Sequence, residues 1–143
     1  MAITSAICNS FKTEILTGVH NFTASSGNTF NLALYTSSAS LGAGTTAYTT
    51  SNEVSGSGYT AKGNALTSVT PTLDSSTAVC DFADTSFTSA SFTARGCLIF
   101  NDSASGDPAV CAIDFGSDKT VTSGTFTIQF PAADASNAII RIA

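Results

Sequence analysis

"SFTARGCLIFN", residues 91–101, is the stretch from which the fold is read. Phe92, Ala94, Leu98 and Phe100 align on one side of an extended chain, with Thr93, Arg95 and Ile99 on the other. A period of two marks a β-strand, because successive side chains of an extended backbone point to opposite faces. The same alternation recurs on both sides of this stretch. In "TFNLALYT" (29–36), Phe30, Leu32 and Leu34 oppose Asn31, Ala33 and Tyr35. "TAVCDF" (77–82) sets Ala78, Cys80 and Phe82 against Val79 and Asp81, and "AVCAIDF" (109–115) continues the pattern. "TFTIQF" (125–130) turns Phe126, Ile128 and Phe130 inward, and "AIIRIA" (138–143) flanks Arg141 with Ile140 and Ile142. Gly, Ser and Asp clusters such as "NDSASGDP" (101–108), "GSD" (116–118) and "TSG" (122–124) punctuate the runs as turns. Short strands between such turns predict a mainly β chain: an antiparallel β-sandwich or jelly-roll-like single domain over residues 1–143.

One segment departs from period two. Ile7, Phe11 and Ile15, with Cys8 and Leu16 beside them, form a stripe at i, i+4 and i+8. The spacing predicts one short N-terminal helical segment over residues 1–18, capped by Thr4 or Ser5 and stopped at Gly18. The stripe either covers the domain's own sheet or anchors a neighbouring subunit.

Composition narrows the functions. Charged residues are only 10% of the chain, the net charge is −5, and the five basic residues are scattered. Phosphate neutralisation needs clustered Lys and Arg, so nucleic acid is not an expected partner. No run of apolar residues is long enough to span a membrane as a helix. The start, "MAITSAICNSFK", lacks the basic and apolar regions of a secretory signal, so the expectation is synthesis and retention in the cytoplasm, or export only as part of something larger.

No catalytic pattern is found. The chain has one histidine, His20, and no G-x-S-x-G elbow, so a nucleophile–base–acid triad has no base to spare. Asp81, Asp84, Asp102, Asp107 and Asp114 could supply a carboxylate pair, but most fall in turns or at strand ends, and a sugar enzyme would show the Trp platforms this chain lacks. "NDSASGD" offers oxygens at alternate positions yet lacks the closing Glu of a calcium loop. No enzyme, cofactor or metal is expected. Cys8, Cys80, Cys97 and Cys111 form no C-x-x-C pair and have no His nearby. They read either as small buried hydrophobes or as one or two disulfides, with Cys80, Cys97 and Cys111 the candidates.

"SSASLGAGTTAYTTSNEVSGSGYTAKG", residues 37–63, holds a single Glu and a single Lys among Ser, Thr, Gly and Tyr. A loop this long (37–64) is usually functional or disordered. Leu41, Tyr48, Val54 and Tyr59 at wide spacing make it a candidate contact surface, alongside Ile7, Phe11 and Ile15. The alternative is a loop packed on its own domain. In the contact reading, replacing Tyr48 and Tyr59 weakens assembly and leaves the isolated domain folded.

Several stretches taken together, "FKTEILTGVHNF", "ALYTSSA…TTAYT…NEVSG.GYTA", "TARGCLIFND" and "TIQFPAADASNAIIRIA", resemble a family of small virion structural proteins of tailed bacteriophages. The resemblance covers nearly the whole chain. It implies a non-enzymatic particle component that is made in the host cytoplasm and ends up in the virion. The reading it favours is a capsid decoration, or cement, protein contacting the major capsid protein and itself, as a homo-oligomer such as a trimer. A neck, tail or fibre subunit and a carbohydrate-binding adhesion module are the alternatives. The family pattern has aliphatic or small residues at Cys80, Cys97 and Cys111, which speaks for the disulfide reading.

Overall fold

The computed structural model describes residues 2–143. Eight strands and one helix follow in the order β1 (Ala6–Ile7), α1 (Asn9–Leu16), β2 (Phe30–Tyr35), β3 (Asn64–Ala65), β4 (Ser68–Asp74), β5 (Thr77–Phe82), β6 (Thr85–Asn101), β7 (Ala109–Ile128) and β8 (Ile140–Ile142). They form a five-stranded sheet, β1-β7-β6-β2-β3, and a three-stranded sheet, β4-β5-β8, with every strand pair antiparallel. The protein is mainly β, as the alternation predicts, and its two sheets share one apolar core.

The helix is shorter than its stripe suggests. Ala6 and Ile7 are extended and pair with Ala112 and Cys111, and the Cys8 N–H donates to the Val110 carbonyl. A neighbouring strand therefore takes the backbone that the stripe assigns to the helix's first turns. Cys8, not Thr4 or Ser5, is the N-cap, and no side chain caps it. The stop is where Gly18 puts it. Gly18 has φ +77°, and the Val19 N–H donates to the Glu14 carbonyl, the 6→1 bond of a Schellman ending.

In β2 the expected alternation of exposure is absent, because all six residues are buried. One face, carrying Phe30, meets Phe22, stacked at 4.2 Å, and Phe82 of the second sheet at 5.9 Å. The other, carrying Tyr35, is covered by residues 48–62: the Tyr35 hydroxyl donates to the Thr49 carbonyl at 2.7 Å, and Tyr48 stacks on Phe100. In β6, alternation holds at 92–94, where Phe92 and Ala94 are buried and Thr93 exposed, and it vanishes over 96–101, where every residue is buried. Exposure alternates only where one face of a sheet is wet.

The long β6–β7 hairpin is interrupted by bulges. Ala94 pairs with Lys119 and Gly96 with Asp114, so β7 carries residues 115–118 where β6 has only Arg95. Ala90 pairs with Gly124 and Phe92 with Val121, leaving residues 122–123 opposite Ser91 alone. Gly116 and Ser123 take positive φ, 81° and 46°, to make these turns.

Candidate interaction surface

The 37–64 segment leaves β2 and folds back along its open edge. There it satisfies β2's backbone group by group. The Leu66 N–H donates to the Phe30 carbonyl, Leu32 pairs with Asn64, the Val54 N–H donates to the Leu34 carbonyl, and the Thr36 N–H donates to the Asn52 carbonyl. The Leu34 N–H has no strand carbonyl opposite it and donates instead to the Tyr59 hydroxyl at 2.9 Å. Gly63 is where the segment presses closest. A Cβ there would lie 1.8 Å from the Leu32 carbonyl oxygen, and φ is +66°, so only glycine fits.

The two charges of the segment hold it down. Glu53 Oε1 accepts from the Tyr59 hydroxyl at 2.7 Å and the Lys62 N–H at 2.8 Å, while Oε2 accepts from the Tyr48 hydroxyl at 2.6 Å. A carboxylate accepts several short hydrogen bonds at once, each stronger than a neutral pair, so one side chain ties three points of the segment together. Lys62 then carries the knot across to the β6–β7 turn, its ammonium 2.7 Å from Asp102 and 2.9 Å from Asp107. The oxygens of "NDSASGD" that suggest a calcium loop thus hold a lysine.

Phenol ionisation is disfavoured throughout this knot. Burial, then the hydrogen bond to Glu53, pushes Tyr59 far above the usual phenol value, and the same two causes push Tyr48 up to about 12. Burial raises Tyr35 as well. Lys62 is held in its charged form by Asp102 and Asp107.

The candidate contact residues face inward. Leu41 and Val54 are buried, and Tyr48 and Tyr59 pack against the core as half-buried rings, Tyr59 between Phe87 and Phe92. Leu41 is tied to the chain start by the Thr4 N–H, which donates to its carbonyl. Because Tyr59 and Tyr48 are the segment's anchors, replacing them unpins this domain itself, contrary to the expectation that the domain would be untouched. Ser37, Ser40, Thr50, Ser55, Ser57 and Thr60 face outward, all short, uncharged and hydroxyl-bearing. On the helix, Phe11 is buried, Ile15 half-buried and Leu16 86% exposed, while Ile7 belongs to β1.

All four cysteines are free and buried. Cys97 pairs with Ile113 and Cys111 with Ile99, a diagonal placement on neighbouring strands. Diagonal Cα atoms lie about 7–8 Å apart, beyond the roughly 4.4–6.8 Å that a disulfide spans. Cys80 sits in the other sheet, opposite Ile140. Burial pushes Cys80 and Cys97 up to about 12 and Cys111 well above its ordinary value, so these thiols are poor nucleophiles.

His20, solitary in the sequence, is fully enclosed in the fold. Asn101 Oδ1 accepts the Ser103 and Ala104 N–H groups, which turns its Nδ2 toward His20 Nδ1 at 3.2 Å. The imidazole accepts there, so its proton sits on Nε2, 3.3 Å from Glu14 Oε1. The ring lies among Phe11, Phe22 and Phe30 and links helix, turn and sheet. Asp81 is 2% exposed; its Oδ1 accepts the Phe82 N–H, Oδ2 completes no hydrogen bond among the described residues although the Ile139 N–H lies near the carboxylate, and burial outweighs both donors to raise its pKa. Among the described residues, no three His, Cys, Asp or Glu converge as metal ligands. Comparison of the chain with protein-family models, curated proteins and solved structures finds no match.

Proposed function

We propose that the protein is a structural component of a tailed-bacteriophage virion, in the role of a capsid decoration protein that contacts the major capsid protein and copies of itself. The observation that carries this reading is the pinned 37–64 segment with its uncharged hydroxyl face. Ser and Thr lose little rotamer freedom on burial, and an uncharged face has no ions to strip of water. A backbone held by Glu53, Tyr59 and Lys62 is ordered before any partner arrives, which lowers the cost of association. The run that carries the family resemblance, "NEVSG.GYTA", contains Glu53 and Tyr59, so the likeness falls on the residues that build this surface.

The test is location and copy number. Quantitative mass spectrometry and reconstruction of purified particles should find the chain over joints between capsid subunits, in numbers tracking the capsid protein. Copies restricted to a neck or tail ring would move the protein to that site, and absence from particles would remove the reading.

A further inference from the structure

The inner face of the small sheet extends past the core that covers it. Leu73, Ala78 and Ile142 stand in one row across β4, β5 and β8. The neighbouring row on that face, Cys80 and Ile140, is buried, whereas Leu73 is 71% and Ile142 57% exposed. Across a groove from Ile140 and Ile142 stands α1, presenting Ile15 and the protruding Leu16. Three of the four large apolar side chains most exposed among the described residues therefore collect at the helix and the overhanging sheet.

Lys12 of the helix lines the groove, and Arg141, between Ile140 and Ile142 on β8, turns its side chain to the opposite face of that strand. Lys62 and Arg95 are neutralised elsewhere by Asp102, Asp107 and Asp118. The Lys12 ammonium instead donates to Asn9 Oδ1, and Arg141 Nη1 donates to the carbonyls of Ala135 and Ser136. Asp134 is near enough to feel the Arg141 charge but spends its oxygens on Ser136 and Asn137. Like Lys119, neither of these cations has a carboxylate within ion-pair distance among the described residues, in a chain with ten acidic residues and five basic ones. A second copy paired antiparallel along β8 would set Arg141, the middle residue of that strand, against its own counterpart, which like charge opposes. β8 is also the last strand of its sheet, so its outer backbone edge is open to a further strand.

We propose that this groove takes an extended acidic segment of another protein, added along β8, with aliphatic side chains at alternate positions seated between Leu16 and Ile142 and the intervening carboxylates on the other face of the strand, over Arg141. Strand addition of this kind draws affinity from main-chain hydrogen bonds and selectivity from alternate side chains. The proposal concerns the isolated chain and stands apart from the virion reading.

Fluorescence anisotropy with the full chain tests it, using a labelled peptide of alternating isoleucine and glutamate and its isoleucine–lysine counterpart. The glutamate peptide should bind at least about tenfold more tightly, and salt should weaken it. Leu16→Ser and Ile142→Ser, both at exposed positions, should each weaken binding severalfold without changing the circular dichroism spectrum, and Arg141→Glu should remove the preference for the acidic peptide. Equal binding of both peptides, no binding of the acidic one, or insensitivity to Leu16→Ser and Ile142→Ser would overturn the proposal. So would self-association of the wild type that Leu16→Ser abolishes, which would make a second copy the occupant.

Discussion

The two edges of the five-stranded sheet meet the same physical problem in different ways. An edge strand exposes unpaired N–H and C=O groups that invite foreign strands. On the β2 side a long segment returns, pairs as β3 and covers the rest, with Tyr59 completing the ladder at Leu34 and Glu53 fixing Tyr59. On the β7 side, β1 pairs with only Ala112 and Cys111, and beyond Asp114 the outer edge of β7 meets no other strand among the described residues. There the edge is broken by the bulges at 115–118 and 122–123. The first device is cooperative and depends on one carboxylate; the second is local and depends on backbone conformation.

The broadest way to break the closed edge is alkali. All three tyrosines of the chain lie in or under it, and all have raised pKa values. Their contribution to stability is fully present below the unfolded phenol value of about 10 and is lost as pH rises above it, because the unfolded chain then ionises more readily than the folded one. Denaturant midpoints should fall steeply above that pH, and tyrosinate absorbance should appear together with unfolding rather than before it.

Glu53→Ala comes next. It leaves two tyrosine hydroxyls and the Lys62 N–H without their acceptor, and should cost about 3 kcal/mol in urea unfolding. A loss under about 1 kcal/mol would mean that packing alone closes this edge. Tyr59→Phe keeps the ring but removes the group bonded to Leu34 N–H and Glu53, and should cost about 1–2 kcal/mol. Hydrogen exchange at the Leu34 amide should rise well before that of its neighbours.

The open edge supplies the smallest effect. Thr125 is exposed on β7 and makes no side-chain hydrogen bond among the described residues, so Thr125→Lys should change stability by no more than about 0.5 kcal/mol. A larger loss would show that this edge is not free, and the contrast between the two edges would fail.

Much of this was legible in particular residues. Period two in "TFNLALYT" and "SFTARGCLIFN" marks strands whatever they pack against, and Gly18 marks the helix end, because both follow from local backbone geometry. The helix start was not legible, since Ala6 and Ile7 go to β7 on account of a partner strand more than a hundred residues away. Nor was the direction of Tyr48 and Tyr59, whose amphipathic rings suit an outer surface and an inner one equally. The one available signal was that a stretch of 27 uncharged or polar positions spends its only two charges on Glu53 and Lys62.

By itself, then, the sequence determined the class: a β chain with one short helix, poor in charge. Periodicity and turn chemistry act over a few residues and need no partner. Only the tertiary structure decided that the Ser/Thr-rich segment is pinned to its own sheet and that the cysteines are buried as free thiols. It also decided that apolar side chains emerge between α1 and β8. Each of these depends on which strands become neighbours, and that is set by closure of the whole core rather than by any stretch of chain read alone.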